Sequence, residues 1–286
     1  LLRDGWCVGC RRMMVYYENL PQQEGCRERE RQMREKKIEM LAEFFRQNPR
    51  AALGFSGGVD SAWLLYAGIK AGAEIQPYYI RTAFQPDFEL RDAKRLCGEL
   101  GTALNIVELD IFQVEEAVKN PHNRCYYCKK ALFGALKEQA VRDGFSILLD
   151  GTNASDDADD RPGMQAAREL SVRSPLRECG ITKAEVREMS RQAGLFTWNK
   201  PAYACLATRI PAGEMITDEK LCRIEAGENE LFGMGFSDFR IRLFHGAARI
   251  QLPAGQMGTA LEKRKEITGK LEAVGFDGIL LDLKER

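Results

Sequence analysis

The stretch Gly54-Phe55-Ser56-Gly57-Gly58-Val59-Asp60-Ser61 constrains this chain more than any other. The apolar run before it, Ala51 to Phe55, reads as a buried strand, and Ala62-Trp63-Leu64-Leu65-Tyr66-Ala67 after it reads as a helix. Two adjacent glycines at that turn let the backbone come close to a ligand and take φ values that other residues avoid. The helix start adds unpaired N–H groups and a positive dipole end, so the turn suits an anion. Ser56 and Ser61 contribute hydroxyls, and Asp60 is placed to hold a magnesium ion against the same phosphates. The loop lacks the lysine of the Walker A pattern, so it is a phosphate site of another kind, or at its plainest a strand-turn-helix connection.

Beyond this loop the periodicity alternates. Strands are expected over Glu74–Ile80, Ala103–Leu109 and Ser146–Asp150, and helices over Phe88–Gly101 and Tyr126–Arg142. That order builds an α/β fold with a parallel sheet, whose ligands sit beyond the carboxyl ends of the strands. The topology therefore places Arg81, Thr82 and Phe84 at a nucleotide base or ribose. An amphipathic helix, Glu30 to Gln47, leads in. After residue 213 the pattern changes to a helix from Thr217 to Gly233, strands Phe239–Phe244 and Ala248–Leu252, a helix Leu261–Val274 and a last strand, Gly278–Leu283. Three parts follow: an N-terminal extension over 1–35, a nucleotide domain over 36–213 and a small C-terminal α/β domain over 214–286.

Lys+Arg and Asp+Glu each number 42 in the 286 residues, so no net field draws nucleic acid toward the protein. No apolar run approaches the roughly 20 residues of a membrane span, and a cytoplasmic protein without membrane contact is expected. Nine cysteines, an odd count, speak against a closed disulfide framework and for metal or sulfur chemistry.

Six of those cysteines stand out, in three places. Cys7 and Cys10, with Cys26, lie in the extension. Cys125 and Cys128 open a helix, where residues three apart face one side and the positive helix end is expected to lower thiol pKa values. The pair suits a metal or cluster, or else a buried structural role. Cys205 sits in Lys200-Pro201-Ala202-Tyr203-Ala204-Cys205-Leu206-Ala207-Thr208-Arg209-Ile210-Pro211, a constrained loop whose two cations are expected to favour the thiolate. Taken alone, a lone buried cysteine is the commoner meaning.

Three other segments complete the reading. Asp150 to Gly163 carries five acidic residues, either a solvated turn or carboxylates that orient magnesium or a cationic substrate. Thr182-Lys183-Ala184-Glu185 fits a capping box and opens a helix read as structural. Phe239-Arg240-Ile241-Arg242-Leu243 alternates, which puts both arginines on one face of a strand, suited to a phosphate or carboxylate.

Ser56-Gly57-Gly58-Val59-Asp60-Ser61 resembles the PP-loop of ATP pyrophosphatases, enzymes that release pyrophosphate and leave AMP on the substrate. Further motifs follow in order: Asn120-Pro121 with Arg124-Cys125; Asp150-Gly151-Thr152-Asn153 with Asp157 and Arg161-Pro162-Gly163; Ser174-Pro175-Leu176; Lys200-Pro201; and Ala204-Cys205-Leu206 with Arg209 and Pro211. Together, over residues 36 to 286, they resemble the LarE family, ATP-dependent sulfur transferases that make the nickel-pincer nucleotide cofactor of lactate racemase.

The resemblance implies a PP-loop fold and a substrate that is a pyridinium mononucleotide with two carboxylates, each converted to a thiocarboxylate. Transfer of AMP makes a carboxylate oxygen a good leaving group, which a sulfur nucleophile then displaces. It further implies that Ser56, Gly57, Gly58, Val59, Asp60, Ser61, Arg81, Gly151 and Asn153 bind ATP and pyrophosphate. Cys205 carries sulfur, Asp60 holds Mg2+, and Arg209, Glu228, Arg240 and Arg242 meet the substrate. Some members sacrifice the cysteine to dehydroalanine. Others resemble cluster-dependent tRNA thiolases, and Cys125, Cys128 and Cys205 match that three-cysteine set, which favours a [4Fe-4S] cluster with one open iron. A homo-oligomer and a sulfide donor are expected as partners. Thr208 stands where a serine is usual and Ala212 where an aromatic is common, and residues 1–35 match nothing in the family.

Three other readings compete. A tRNA thiolase would carry an RNA-binding module and a basic face, and neither is evident. An amidotransferase would not need three cysteines. A non-catalytic nucleotide or cluster sensor has no reason to keep Asp60, both loop serines and Cys205, and a pyrophosphate-release assay separates it.

Overall fold

Ala51, Ala52 and Leu53 are completely buried, as a strand covered on both faces requires, and they form β1 (Arg50–Gly54). The structure, a computed structural model, describes residues 31–156 and 162–286. Cys7, Cys10 and Cys26, and the acidic-loop residues Asp157, Asp159, Asp160 and Arg161, lie outside the described residues.

Helix α1 covers residues 31–47 and precedes β1. The chain continues through α2 (Val59–Lys70), β2 (Glu74–Arg81), α3 (Asp87–Glu99), β3 (Asn105–Glu108), α4 (Glu115–Val118), α5 (Arg124–Arg142) and β4 (Leu148–Leu149). Next come α6 (Pro162–Glu169), α7 (Pro175–Glu178) and α8 (Lys183–Gln192). The four strands are parallel in the order β3-β2-β1-β4. Leu41 and Phe45 of α1, Leu64 and Leu65 of α2, Leu96 of α3 and Val186 of α8 pack on one face. Phe133 and Leu136 of α5 and Ala167 of α6 cover the other. The strand order reverses between β1 and β4, and the crevice for a ligand in such sheets opens at that reversal. The loops after β1 and β4 both emerge there.

The strand expected over Ser146–Asp150 pairs with β1 only at Leu148 and Leu149. Asp150 N instead donates to Arg173 O at 2.9 Å, so another segment clamps the start of the loop.

The C-terminal part contains α9 (Asp218–Gly233), β5 (Arg240–Phe244), β6 (Ala247–Gln251), α10 (Ala254–Glu262), α11 (Arg264–Ala273) and β7 (Ile279–Leu281). Its sheet runs β5-β6-β7, antiparallel then parallel. The single helix expected over Leu261–Val274 is two, parted at Lys263, where φ is −85° and ψ is 10°. Lys263 Nζ is held there by Met234 O at 3.0 Å. No linker separates this part from the first. One core joins Phe84, Ile111 and Cys128 to Leu206, Ile224 and Ile241, and Gly213 N donates to Asn120 O at 2.8 Å. Among the described residues no helix is long and apolar enough to cross a membrane.

Two glycines allow the loops to meet. Gly57 has φ +69°, and a Cβ there would lie 3.2 Å from Ala93 N. At Gly151 a Cβ would stand 2.8 Å from Ser61 N, so only hydrogen fits between the β4 loop and the start of α2. Gly151→Ala is expected to cost about 1–3 kcal/mol of stability through overpacking and to push the two loops apart. Thermal melts with and without ATP check this, and a variant as stable and as ATP-responsive as the parent would refute the close packing.

Candidate active site

The phosphate loop is held by its own hydroxyls. Gly58 N donates to Ser56 Oγ at 3.3 Å, Ser61 Oγ donates to Gly58 O at 3.2 Å, and the two serine oxygens lie 3.2 Å apart. Asp60, in the first turn of α2, faces the β4 loop. Its Oδ1 accepts from Asn153 Nδ2 at 3.3 Å, and its Oδ2 pairs with Lys183 Nζ. Burial pushes the Asp60 carboxyl above its ordinary pKa, and Lys183 pulls it back. Lys183 opens α8, where Thr182 and Glu185 form the expected capping box: Glu185 N donates to Thr182 Oγ1 at 3.3 Å and Thr182 N to Glu185 Oε2 at 2.8 Å. The box fixes the helix start so that Lys183 reaches the loop. The capping pattern was legible in the sequence; that it delivers a cation to Asp60 was not.

The β4 loop is tied to the same helix. Asp150 accepts from Thr152 N (3.1 Å), Thr152 Oγ1 (2.8 Å) and Ser174 Oγ (2.7 Å), and Lys183 N donates to Ser155 Oγ at 3.0 Å. A cavity of about 490 Å³ lies over these groups, walled by the phosphate loop, Gly151, Ile80, Phe133, Leu136, Tyr203 and Cys205. Arg81 does not reach it. Its side chain is exposed between Asp87 and Glu108, each at 3.6 Å, and lines a separate groove. Thr82 accepts from Phe84 N at 3.1 Å, and Phe84 is buried in the core.

Cys205, on the loop before a short 3-10 turn (Leu206–Arg209), lines this cavity, while Cys125 lines a second cavity of about 550 Å³ on the far side of Arg124. Arg124 lines the second cavity and approaches Cys205. Its Nη1 donates to Asn120 Oδ1 (2.5 Å) and Ala207 O (2.9 Å), and its Nη2 lies 3.9 Å from Cys205 Sγ. Arg124 Nε is buried with no partner. The three thiols are near enough that a charge on Cys205 or Cys125 acts on Cys128. Contrary to the expectation of thiolates, burial pushes Cys128 up to about 12 and raises Cys205, outweighing Arg124 in both cases. The loop cations are engaged elsewhere. Lys200 pairs with Asp92 at 2.6 Å and Arg209 with Glu228 at 2.9 Å.

Glu228 is buried and collects Arg209 Nε (2.9 Å), Ile241 N (3.0 Å) and the Tyr203 hydroxyl. Arg209 and Arg240 lie over the Tyr203 ring, with guanidinium carbons 4.4 and 4.8 Å from its centre. Arg240 and Arg242 donate to backbone and amide oxygens: Phe239 O (2.6 Å) and Ala202 O for the first, Thr208 O (2.6 Å) and Gln251 Oε1 (2.6 Å) for the second. Neither has a carboxylate partner among the described residues. Burial lowers both, Arg240 to about 10. Arg242 lines the second cavity with His122, His245 and Arg249.

Among the described residues no three His, Cys, Asp or Glu side chains could together hold one metal ion. An iron–sulfur cluster asks for less convergence, because each thiolate binds its own iron. Cys125, Cys128 and Cys205 lie beside Arg124 and close enough for their charges to act on one another, which meets that looser demand.

Sequence reasoning missed Glu89. It lines the nucleotide cavity, and burial, opposed by Lys200, raises its carboxyl to about 7 from 4.5. Between those values the folded chain keeps a proton that the unfolded chain has released, so stability falls as pH rises through that window. Without ligand, the parent is expected to lose more melting temperature from pH 5 to 7.5 than Glu89→Gln does. Parallel losses in the two proteins would show that Glu89 ionises freely.

In comparison with known proteins, the chain is 38% identical over 257 residues to the uncharacterized protein slr1717 of Synechocystis, covering 88% of this chain and 95% of that one. It is 31% identical over 236 residues to pyridinium-3,5-bisthiocarboxylic acid mononucleotide synthase of Lactiplantibacillus plantarum, with 82% and 86% covered. A weaker likeness, 24% over 295 residues, links it to the tRNA-specific 2-thiouridylase MnmA of Thermotoga petrophila, covering 82% of this chain and 80% of that one. No protein-family model matches. Similarity of this extent along most of both chains, on a parallel sheet with its phosphate loop at the strand reversal, means that the chain belongs to the LarE family, the ATP-dependent sulfurtransferases of the PP-loop superfamily.

Proposed function

We propose that the protein adenylates the carboxylates of a pyridinium-3,5-biscarboxylate mononucleotide and converts them to thiocarboxylates, a step in making a nickel-pincer nucleotide. The observation that carries this reading is that Cys205 lines the same cavity as the phosphate loop. A sulfur there can meet an acyl adenylate where it forms. The name of the Lactiplantibacillus relative supports the choice of substrate.

In this mechanism the loop N–H groups, Ser56, Ser61 and Lys183 take the β- and γ-phosphates of ATP. Asp60, released by Lys183, meets the magnesium that ATP carries, with Asn153 orienting the carboxylate. A substrate carboxylate oxygen attacks the α-phosphorus and pyrophosphate leaves. Sulfur then attacks the acyl carbon, the carbon–oxygen bond to AMP breaks, and AMP departs with the electron pair. Arg240 and Arg242, which lack carboxylate partners, offer charge to the anionic end of the substrate, with Arg209 and Glu228 fixing their surroundings. Cys125, Cys128 and Cys205 would hold a [4Fe-4S] cluster, which when bound supplies an iron open to an extra sulfide. Burial keeps Cys128 and Cys205 protonated in the metal-free chain, so their protons must leave on metal binding.

A second reading, sacrifice of Cys205, is favoured by one fact: of the three thiols it alone lines the nucleotide cavity. Single Cys→Ala variants separate the two. In the cluster case each of the three loses iron and sulfur transfer together. In the sacrificial case only Cys205→Ala is inactive, and the intact mass of each chain falls once, by about 34 Da, in a single turnover as thiol becomes dehydroalanine. That mass loss from iron-free protein would exclude the cluster.

Lys183→Ala tests the phosphate assignment. The Lys183 and Asp60 side chains are 34% and 21% exposed, so the ion pair itself is worth only about 1 kcal/mol, whereas pyrophosphate release is expected to fall about 100-fold or more. Release at the parent rate would remove Lys183 from the phosphate site.

A further inference from the structure

Glu89 is the third helical residue of α3, and its side chain has no hydrogen bond or ion pair among the described residues. The usual structural task of a glutamate at this position is to accept from the N–H of the capping residue. That residue is Pro86, which has no N–H. The carboxyl lines the nucleotide cavity, held at about 7 by burial with Lys200, Asp92, Arg209 and Arg240 around it.

A second partnerless group stands beside it. Tyr79 is 2% exposed, its hydroxyl has no partner, and it lines the same cavity. The Glu89 charge is the strongest acting on that phenol. A buried hydroxyl without a partner costs about 1–3 kcal/mol, so the Tyr79 hydroxyl, with the unpaired Glu89 carboxyl on the same wall, marks a place completed by a ligand. Their position identifies the ligand part. Ala93, one helical turn beyond Glu89, touches Gly57 of the phosphate loop, with 3.2 Å between Ala93 N and a Cβ built there. Glu89 therefore stands about 5–6 Å along the helix from the phosphate site. In a nucleotide the group at that remove from the phosphates is the sugar. A vicinal diol offers two O–H donors to the carboxylate and an oxygen acceptor to the phenol.

We propose that Glu89, with Tyr79, recognises the ribose hydroxyls of ATP and makes the enzyme select ribonucleotides over deoxyribonucleotides. The inference deepens the proposed function and rests on its assignment of the phosphate loop to ATP. The pyridinium mononucleotide also carries a ribose, and the two sources are separated by titrating each alone.

The test is calorimetric titration of the full chain with magnesium and ATP, 2′-deoxy-ATP or 3′-deoxy-ATP. The unaltered protein is expected to bind ATP about 10–100-fold more tightly than a deoxy analogue, the range of a charge-assisted hydrogen bond. Glu89→Gln should weaken ATP by a similar factor, leave the deoxy analogues unchanged and so erase the preference. Tyr79→Phe should reduce it in part. Equal affinity of the unaltered protein for ATP and both deoxy analogues overturns the inference and leaves the ATP assignment standing. So does a Glu89→Gln variant that weakens all three alike, or one that loses affinity for a nicotinate-type mononucleotide and not for ATP. No ATP binding by the unaltered protein overturns both.

Discussion

A single buried carboxylate ties the two halves of this enzyme together. Glu228, on α9, accepts from Arg209, from the Tyr203 hydroxyl and from the backbone of Ile241 on β5. Arg209 in turn donates to Ala204 O at 2.8 Å and Cys205 O at 3.4 Å. The loop that carries Cys205 is thus fastened to the second sheet while its sulfur looks into the cavity of the first. A buried ion pair stabilises little when set against an apolar replacement, but removing one partner leaves a bare charge in the interior at a cost of about 3–5 kcal/mol. The arrangement is therefore a rigid one, and it fixes where Cys205 stands on the cavity wall.

Around that anchor the charges divide into committed and uncommitted ones. Asp150 is fully occupied by Thr152 and Ser174, Arg187 holds the backbone of Trp198 and Lys200 at 2.7 and 2.9 Å, and Lys200 is paired with Asp92. Lys183 and Asp60 satisfy one another beside the phosphate loop. Among the described residues Glu89 and the Tyr79 hydroxyl have no hydrogen-bond partner, and Arg240 and Arg242 donate to neutral oxygens rather than to carboxylates. Sites awaiting ligands hold such groups, because binding then completes hydrogen bonds that folding left open.

The thiols illustrate how burial overrides local electrostatics. A helix start and nearby cations lower a thiol pKa when the sulfur is in water. Cys128 points into the core shared by both sheets, where the cost of placing an anion exceeds the help from Arg124. Sequence periodicity put the two cysteines of α5 on one side of a helix and could not say that Cys128 is buried while Cys125 stays exposed.

What the sequence determined by itself was local. Glycines after an apolar run make the phosphate loop, alternation makes the parallel sheet, and Thr182 with Glu185 caps α8, because each of these depends on residues within one or two turns. The arginines of β5 share a face for the same reason. What only the tertiary structure decided was which distant groups meet and how dry their surroundings are. Lys183 faces Asp60 across 123 positions of chain, Arg81 turns away to Asp87 and Glu108, and Glu89 comes to a cavity wall with Lys200 and Tyr79. These depend on helix packing across the sheet, and desolvation, which sets the charge state of Cys205 and Glu89, is a property of the assembled interior that no short window of residues contains.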